Sequence, residues 1–454
     1  MGTTDTRPRS AFDRFLGIFA DVHSGEGLTA VLLALNVFLI LTAYYILKPV
    51  REALILTEGS AELKTYMAAG QVVALAFIVP LYGKLVASRP RMRLINTVTA
   101  FFTGCLILFY FLAKAGVPLG IPFFIWIGVF SLMIVAQFWS FANVIYDKAE
   151  GERLFAIVGF GASLGAVAGS RIADVLIEPV GINQLLLLGA AVLGAQVLLT
   201  NYIDHRERRH IQSHTKQVSA SKTVTKASHS QSFKLVFKTR YLILMAIMLM
   251  LANWVNTTGE YILSNIVKQH AEQLLAGGAS GLTEGQIIGD FYSKYFTYVN
   301  ILSLLIQLFL VSRIVKWFGI SWTVMVLPFI SLGAYNVIIF IPTLTAIMSA
   351  KVAENATDYS LNNTVRNMLF LPCTYEEKFS AKQAIDSFFV RMGDVLSAAL
   401  VFFGTNIMHL SARQFAAVNA VLVLAWLVLA WQVGRIYVQR TGEAGVPDAL
   451  PAKA

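Results

Sequence analysis

The chain has 454 residues, 56% of them hydrophobic and only 14% charged, with a mean hydropathy of +0.65. Soluble domains carry about 25% charged residues, so this composition excludes a soluble globular protein and describes a polytopic membrane protein. The formal net charge of +10 is therefore read as a matter of membrane topology and not as a nucleic-acid signal.

Residues 1–27 are predicted as a polar N-terminus. Met1 to Phe12 lack an apolar h-region, so no cleaved signal peptide is expected. Stretches of about 20 apolar residues can span a bilayer, and twelve are predicted. Six form an N-terminal half over 28–203: 28–50, 64–87, 92–114, 119–144, 154–177 and 183–203. Six more form a C-terminal half over 241–436: 241–267, 287–312, 319–341, 344–370, 380–408 and 412–436. Residues 437–454 make a tail. Between the halves lies the one long polar segment, 204–240, with nine Lys and Arg residues among Ser and Thr. Such a stretch is expected to be flexible or partly an amphipathic helix on the inner leaflet. The expected fold class is all-α and integral to the membrane, two six-helix halves whose layout resembles that of major-facilitator-type transporters, in which the substrate site lies near the midplane.

Basic residues fix the expected orientation. Arg7, Arg9 and Arg14 precede the first span, and Lys84, Arg89, Arg91 and Arg93 join the second to the third. The 204–240 segment, Arg313 with Lys316, and Arg435 with Arg440 all fall on that same side. Both termini and the 204–240 segment are thus predicted in the cytoplasm of a bacterium, with the chain in its inner membrane.

Several charges interrupt the apolar spans. The first ends in a cluster of Lys48, Arg51 and Glu52, spaced i, i+3 and i+4 on one face, with Pro49 favouring a kink. A charge at bilayer depth costs roughly 2.5–3.5 kcal/mol on insertion scales, so such residues usually serve a pathway or a substrate. The bland alternative is a snorkelling helix end with one internal ion pair. The seventh span carries Asn253, Asn256, Thr257 and Glu260. Glu260 is a candidate for cation or proton coupling, or a partner for Lys48 or Arg51. In the tenth span, Lys351, Glu354, Asp358, Asn362 and Arg366 make either a polar face on an aqueous cavity or an intrahelical salt-bridge ladder. The eleventh adds Lys382, Asp386, Arg391 and Asp394, the last two spaced to neutralise each other.

Three negatives narrow the function. Gly159, Gly161, Gly165 and Gly169 are not followed by a Lys-Ser/Thr pair, so they read as a helix-packing face and not as a nucleotide loop. No Walker sequence occurs, and no histidine box lies inside a span, which argues against an intramembrane enzyme. Cys105 and Cys373 have no metal-ligand spacing and read as packing residues. No cofactor or metal is expected.

The motifs are similar to those of the ATP/ADP antiporter family of nucleotide transporters. The run from Tyr45 through Lys48, Pro49, Arg51 and Glu52 to Thr57 resembles that family's first-helix signature. Phe138, Trp139 and Asn143, followed by Glu150, Arg153 and the glycine-rich fifth span, resemble a second. Asp358 through Asn362 and Arg366 to Pro372, continuing into Lys378, Lys382, Asp386 and Arg391, resemble a third. The resemblance implies twelve helices, a major-facilitator-like fold and nucleotide exchange. It aligns Arg51 and Arg366 with two family lysines linked to function, and Glu150 with a family glutamate. An arginine in place of lysine keeps the charge and adds a planar fork suited to phosphate. At a family Glu-Val-Thr-Trp-Lys pattern this chain reads Asn256, Thr257, Thr258, Gly259 and Glu260, a departure at the substrate positions.

The sequence thus describes a secondary transporter of a nucleotide or other phosphorylated anion, working by alternating access. It is expected as a monomer among membrane lipids, without nucleic acid. The first and tenth spans are expected to bring Lys48, Arg51 and Arg366 around one aqueous site. The alternatives are a proton-coupled carrier or lipid flippase using Glu52 and Glu260, or a non-transporting scaffold recruiting partners through the basic segment.

Overall fold

The computed structural model describes residues 21–23, 26–146, 148–220, 235–278, 281–374, 377 and 381–442. These residues are helical almost throughout. The long helices are α1 (Gly27–Glu58), α2 (Ala61–Ser88), α3 (Arg91–Lys114), α4 (Gly120–Ile145), α5 (Lys148–Val180), α6 (Ile182–Ala220) and α7 (Arg240–Ala276). Then come α8 (Glu284–Leu305), α9 (Val311–Thr323), α10 (Val326–Phe340), α11 (Leu344–Thr357), α12 (Asn363–Met368), α13 (Lys382–Ala384), α14 (Val390–Asn406) and α15 (Ala412–Thr441). Among the described residues, π-helical turns join neighbours at Ile306–Leu310, Asp358–Asn362 and Ile385–Phe389.

Among the described residues ten helices are long and apolar enough to cross a membrane, and α10 is a shorter apolar one. The tenth predicted span is the α11–π–α12 stretch, whose apolar run is broken by Lys351, Glu354, Asp358 and Arg366. Gly319 separates the eighth and ninth predicted spans. Its φ of 68° is left-handed, a conformation glycine adopts without steric cost, and it breaks the helix there. Pro49 does not break α1, which runs unbroken from Gly27 to Glu58. α6 continues through residues 204–220 as helix, whereas the rest of the predicted basic segment up to 234 lies outside the described residues. Large apolar side chains face outward: Phe77 and Phe340 are 75% exposed and Leu198 is 73% exposed. A surface of that kind suits lipid, and the chain is a multi-pass membrane protein.

By contacts the chain forms two compact units. The first takes the described residues up to 58, then 74–220 and 281–297; the second takes 59–73, 235–278 and 298–442.

In the first unit α1 is the central helix, buried on most of its circumference and packed on α4, α5 and α6. Its closest neighbour is α5, through the glycine face. A Cβ on Gly161, Gly165 or Gly169 would come within 3.0 Å of the α1 backbone at Ala34, Phe38 or Thr42, closer than real side chains approach. Thr42 Oγ1 donates to the Gly165 carbonyl at 3.3 Å across the same seam. The small-residue stripe is a helix-packing face, as read from sequence.

In the second unit α7 takes the central place, against α14 and α15. Gly393 lets α14 lie on the α7 backbone at Met250 and Trp254. α15 starts at a capping box, in which Ser411 Oγ accepts from the Gln414 N–H while Gln414 Oε1 accepts from the Ser411 N–H at 2.8 Å.

Candidate functional site

In the first unit the charged cluster of α1 is held by aromatic rings. Lys48 is buried, with its ammonium 4.0 Å from the centre of the Phe296 ring and 5.1 Å from that of Tyr45. Such contacts replace part of the lost hydration of a buried cation. Arg51 Nε donates to Glu52 Oε1 at 3.0 Å, and the guanidinium lies 4.9 Å from the Phe124 ring centre on α4. Glu52 is fully buried. Adjacent helix residues do not face each other, so this pair depends on the long arginine folding back.

Asn143 and Glu150 are not brought to that cluster. The start of α4 meets the end of α1, where the Gly120 N–H donates to Glu58, so α4 runs antiparallel to α1. Its last turn, with exposed Asn143, and the first turn of α5, with Glu150, therefore lie at the opposite end. There Arg153 holds Glu26 with two hydrogen bonds, at 3.0 and 2.9 Å. Lys48 is about 33 Å further along the helix.

In the second unit a polar cavity of about 70 Å³ is lined by Asn253, Asn256, Ser331, Glu354, Asp358, Asn362 and Arg366. Five of these were singled out from sequence as site residues. Their alignment depends on the π turn. In a plain α-helix the twelve residues from Glu354 to Arg366 turn through about 1200°, leaving the two side chains about 120° apart. The π turn at Asp358–Asn362 absorbs one extra residue. The remaining rotation corresponds to about eleven residues, or 1100°, which returns Arg366 to within about 20° of Glu354. Arg366 then ion-pairs with Asp386, which sits in the π turn Ile385–Phe389. Asn362 Nδ2 donates to Asp358 Oδ1 at 2.7 Å.

Beneath the cavity, Glu354 is almost fully enclosed by donors. Lys351 Nζ lies 2.5 Å from Oε2, Ser331 donates to Oε1 at 2.8 Å, and the Tyr335 hydroxyl reaches Oε1 at 3.5 Å and the Val255 carbonyl at 3.0 Å. Lys351 is fully buried. Gly259 makes the arrangement possible, because a Cβ there would lie 2.7 Å from Lys351 Nζ and also overlap the Tyr335 hydroxyl. The departure at 256–260 thus has a packing reason at one of its positions.

The polar residues of α7 divide between neighbours. Asn253 and Thr257 donate to Asp394 of α14 at 2.8 and 2.7 Å, and Arg391 lies 3.6 Å from Asp394. Arg391 and Asp386 do not line the cavity wall. Glu260, one turn beyond Asn256, accepts from Asn355 at 3.0 Å and lies 3.7 Å from Lys64 Nζ. Lys64, near the start of α2, is buried and donates to Ser264 at 2.7 Å. Sequence reasoning missed Lys64, because a lysine at the start of a span has the pattern of a snorkelling end. Among the described residues no group of three His, Cys, Asp or Glu could hold a metal ion.

The family model described as Major Facilitator Superfamily matches residues 18–371. The chain belongs to the Major Facilitator Superfamily. It is 22% identical to ADP,ATP carrier protein 1 of Chlamydia pneumoniae over 71% of this chain and 69% of that protein. It is also 22% identical to ADP,ATP carrier protein 5 of Rickettsia bellii, over 96% of this chain and 98% of that protein. Of ADP,ATP carrier protein 1 of Chlamydia muridarum it spans 63% of the length, at 21% identity. These relatives bear out the resemblance read from the motifs. Among solved structures, the nucleoside transporter NupG superimposes with a TM-score of 0.65 at 14% identity, over 88% of this chain and 98% of that one. A bacterial homolog of the human lysosomal transporter Spinster, inward-facing and unoccupied, gives 0.59 at 11% identity, over 91% and 98%. At such identities the likeness establishes the fold.

Proposed function

We propose that this protein is a secondary transporter of a nucleotide or another phosphorylated anion in a bacterial inner membrane, working by alternating access with both termini in the cytoplasm. The observation that carries the reading is the likeness to ADP,ATP carriers along nearly the whole chain, combined with cations set into apolar helices. In this reading Lys48, Arg51 and Arg366 receive phosphate oxygens, and Glu52 and Asp386, the ion-pair partners of Arg51 and Arg366, balance them when substrate is absent, with Asp358 on the same cavity wall and Glu354 held by Lys351. Arginine suits that task because its fork grips phosphate bidentately. Asn256 and Asn362 supply neutral hydrogen bonds to the less charged part of the substrate. Asn143, Glu150 and Arg391 enter the reading through the motif resemblance alone.

A second reading, proton-coupled carriage, draws on Glu260, whose carboxylate lies between Asn355 and the buried Lys64. In it Glu260 exchanges a proton during the cycle.

The deciding experiment uses proteoliposomes preloaded with ATP, ADP, a phosphorylated sugar or buffer, challenged with the corresponding labelled compounds. Uptake stimulated by an internal nucleotide supports exchange. Uptake driven by an imposed pH gradient, with no need for internal anion, favours the second reading. No uptake of any phosphorylated compound by correctly oriented, monodisperse protein would overturn both.

A further inference from the structure

The second unit holds another cavity, of about 280 Å³, away from the charged residues just described. Four helix ends meet there: the end of α7, the end of α10, the start of α11 and the start of α15. Its polar side is made by Gln269, His270 and Gln273 of α7 and Arg413 of α15, and Ile266, Ile338 and Ile347 form an apolar wall. No carboxylate lines it.

Arg413 occupies an electrostatically unfavourable position. The Ser411 capping box fixes where α15 begins, and this places Arg413 in the first turn. The helix dipole presents partial positive charge there, which disfavours a cation. Among the described residues neither Arg413 nor His270 has an ion pair or a side-chain hydrogen bond. An exposed arginine and a half-buried histidine thus line one cavity whose walls hold no carboxylate. Beside them, the apolar wall offers surface to carbon.

We propose that this cavity binds a phosphate-bearing anion, whose phosphate lies between Arg413 and His270 with Gln269 and Gln273 as further donors. The phosphate could come from an anionic lipid headgroup, with glycerol and acyl carbons on the isoleucine wall, or from a free phosphate compound. The site lies about 45 Å along α7 from Arg240, a distance greater than the hydrocarbon thickness. It is therefore at the opposite membrane face from Arg240. The proposal is independent of which compound the protein transports.

The test uses full-length protein in nanodiscs of phosphatidylcholine. In one arm phosphatidylglycerol is titrated in, and bound lipid is counted by native mass spectrometry. In the other, inorganic phosphate is titrated and binding is followed by the shift in thermal unfolding. The wild type should retain one more phosphatidylglycerol than Arg413→Gln, or bind phosphate at least tenfold more tightly than it. His270→Gln should weaken the same ligand, and Arg413→Lys should be milder than Arg413→Gln. Ile347→Trp, which fills the cavity and leaves the charges in place, should abolish binding. A response to lipid alone assigns the site to a headgroup, and a response to phosphate alone assigns it to a soluble anion. If folded wild type and folded Arg413→Gln match in both arms, the proposal is wrong.

Discussion

Lys351 and Glu354 lie one helical turn apart on α11 and meet at 2.5 Å, with the lysine wholly enclosed. Removing one member of such a pair leaves an uncompensated charge in a low-dielectric site, which typically costs about 3–5 kcal/mol. Lys351→Met should therefore sharply lower the unfolding temperature of the detergent-solubilised protein. The double variant Lys351→Met with Glu354→Gln should recover most of that loss. Equal destabilisation by single and double variants would show that the pair is not energetically coupled.

The glycine face of α5 gives a comparison within one helix. Gly165 is pressed against the α1 backbone, whereas nothing lies within 4 Å of a Cβ at Gly159. Gly165→Ala should destabilise the protein, because one helix must move away from the other. Gly159→Ala should be neutral or stabilising by up to about 1 kcal/mol, the usual helix preference of alanine over glycine. Thermal unfolding of the two variants in parallel provides the measurement.

Arg51 and Arg366 carry the proposed substrate contacts. Losing a charge-assisted hydrogen bond costs about 1.5–3 kcal/mol, so Arg51→Ala and Arg366→Ala should each reduce uptake ten- to a hundredfold at normal abundance. Arg51→Lys should be milder. Transport assays normalised to membrane-inserted protein provide the check, and wild-type uptake by both alanine variants would remove these residues from the site.

Glu26 gives a pH dependence with a definite sign. Burial pushes its carboxyl up, but the Arg153 hydrogen bonds, together with the His23 backbone N–H, outweigh it and hold it below the ordinary 4.5. A depressed carboxylate contributes stability that is present above its unfolded value and is lost as the pH falls through its folded value. Wild-type protein should therefore lose stability below about pH 4.5 relative to Glu26→Gln, and the two profiles should run parallel above it. Unfolding temperatures from pH 7 to pH 3 would show whether the profiles diverge.

Orientation is open to a direct test. In a background lacking Cys105 and Cys373, Ser221→Cys should resist a membrane-impermeant thiol reagent added to intact cells and react after the membrane is opened. Ready labelling from outside would invert the proposed topology.

Apolar runs and basic loops made the helices legible in the sequence, and the small-residue face of α5 was legible because its spacing has one geometric meaning. The clusters were legible only in part. Glu354, Asp358, Asn362 and Arg366 were found as charges and amides inside a span, yet no local signal revealed the π turn that aligns them. Lys64 was missed because Ser264, its hydrogen-bond partner, lies 200 residues away. Asn143 and Glu150 belonged to a recognisable motif, but a motif carries no information about which end of a helix it occupies. Only the antiparallel packing of α4 on α1 separates them from Lys48.

The π turn at Asp358–Asn362 also makes this helix unequally tolerant of changes in length. Since the turn already accommodates one residue beyond a regular helix, deleting Tyr359 should let the segment relax into plain α geometry. Glu354 and Arg366 would then still look into the same cavity. A deletion one or two turns away, where there is no surplus, would instead rotate everything beyond it by about 100°. Among homologous chains, differences in length should therefore gather at this turn and be scarce on either side of it.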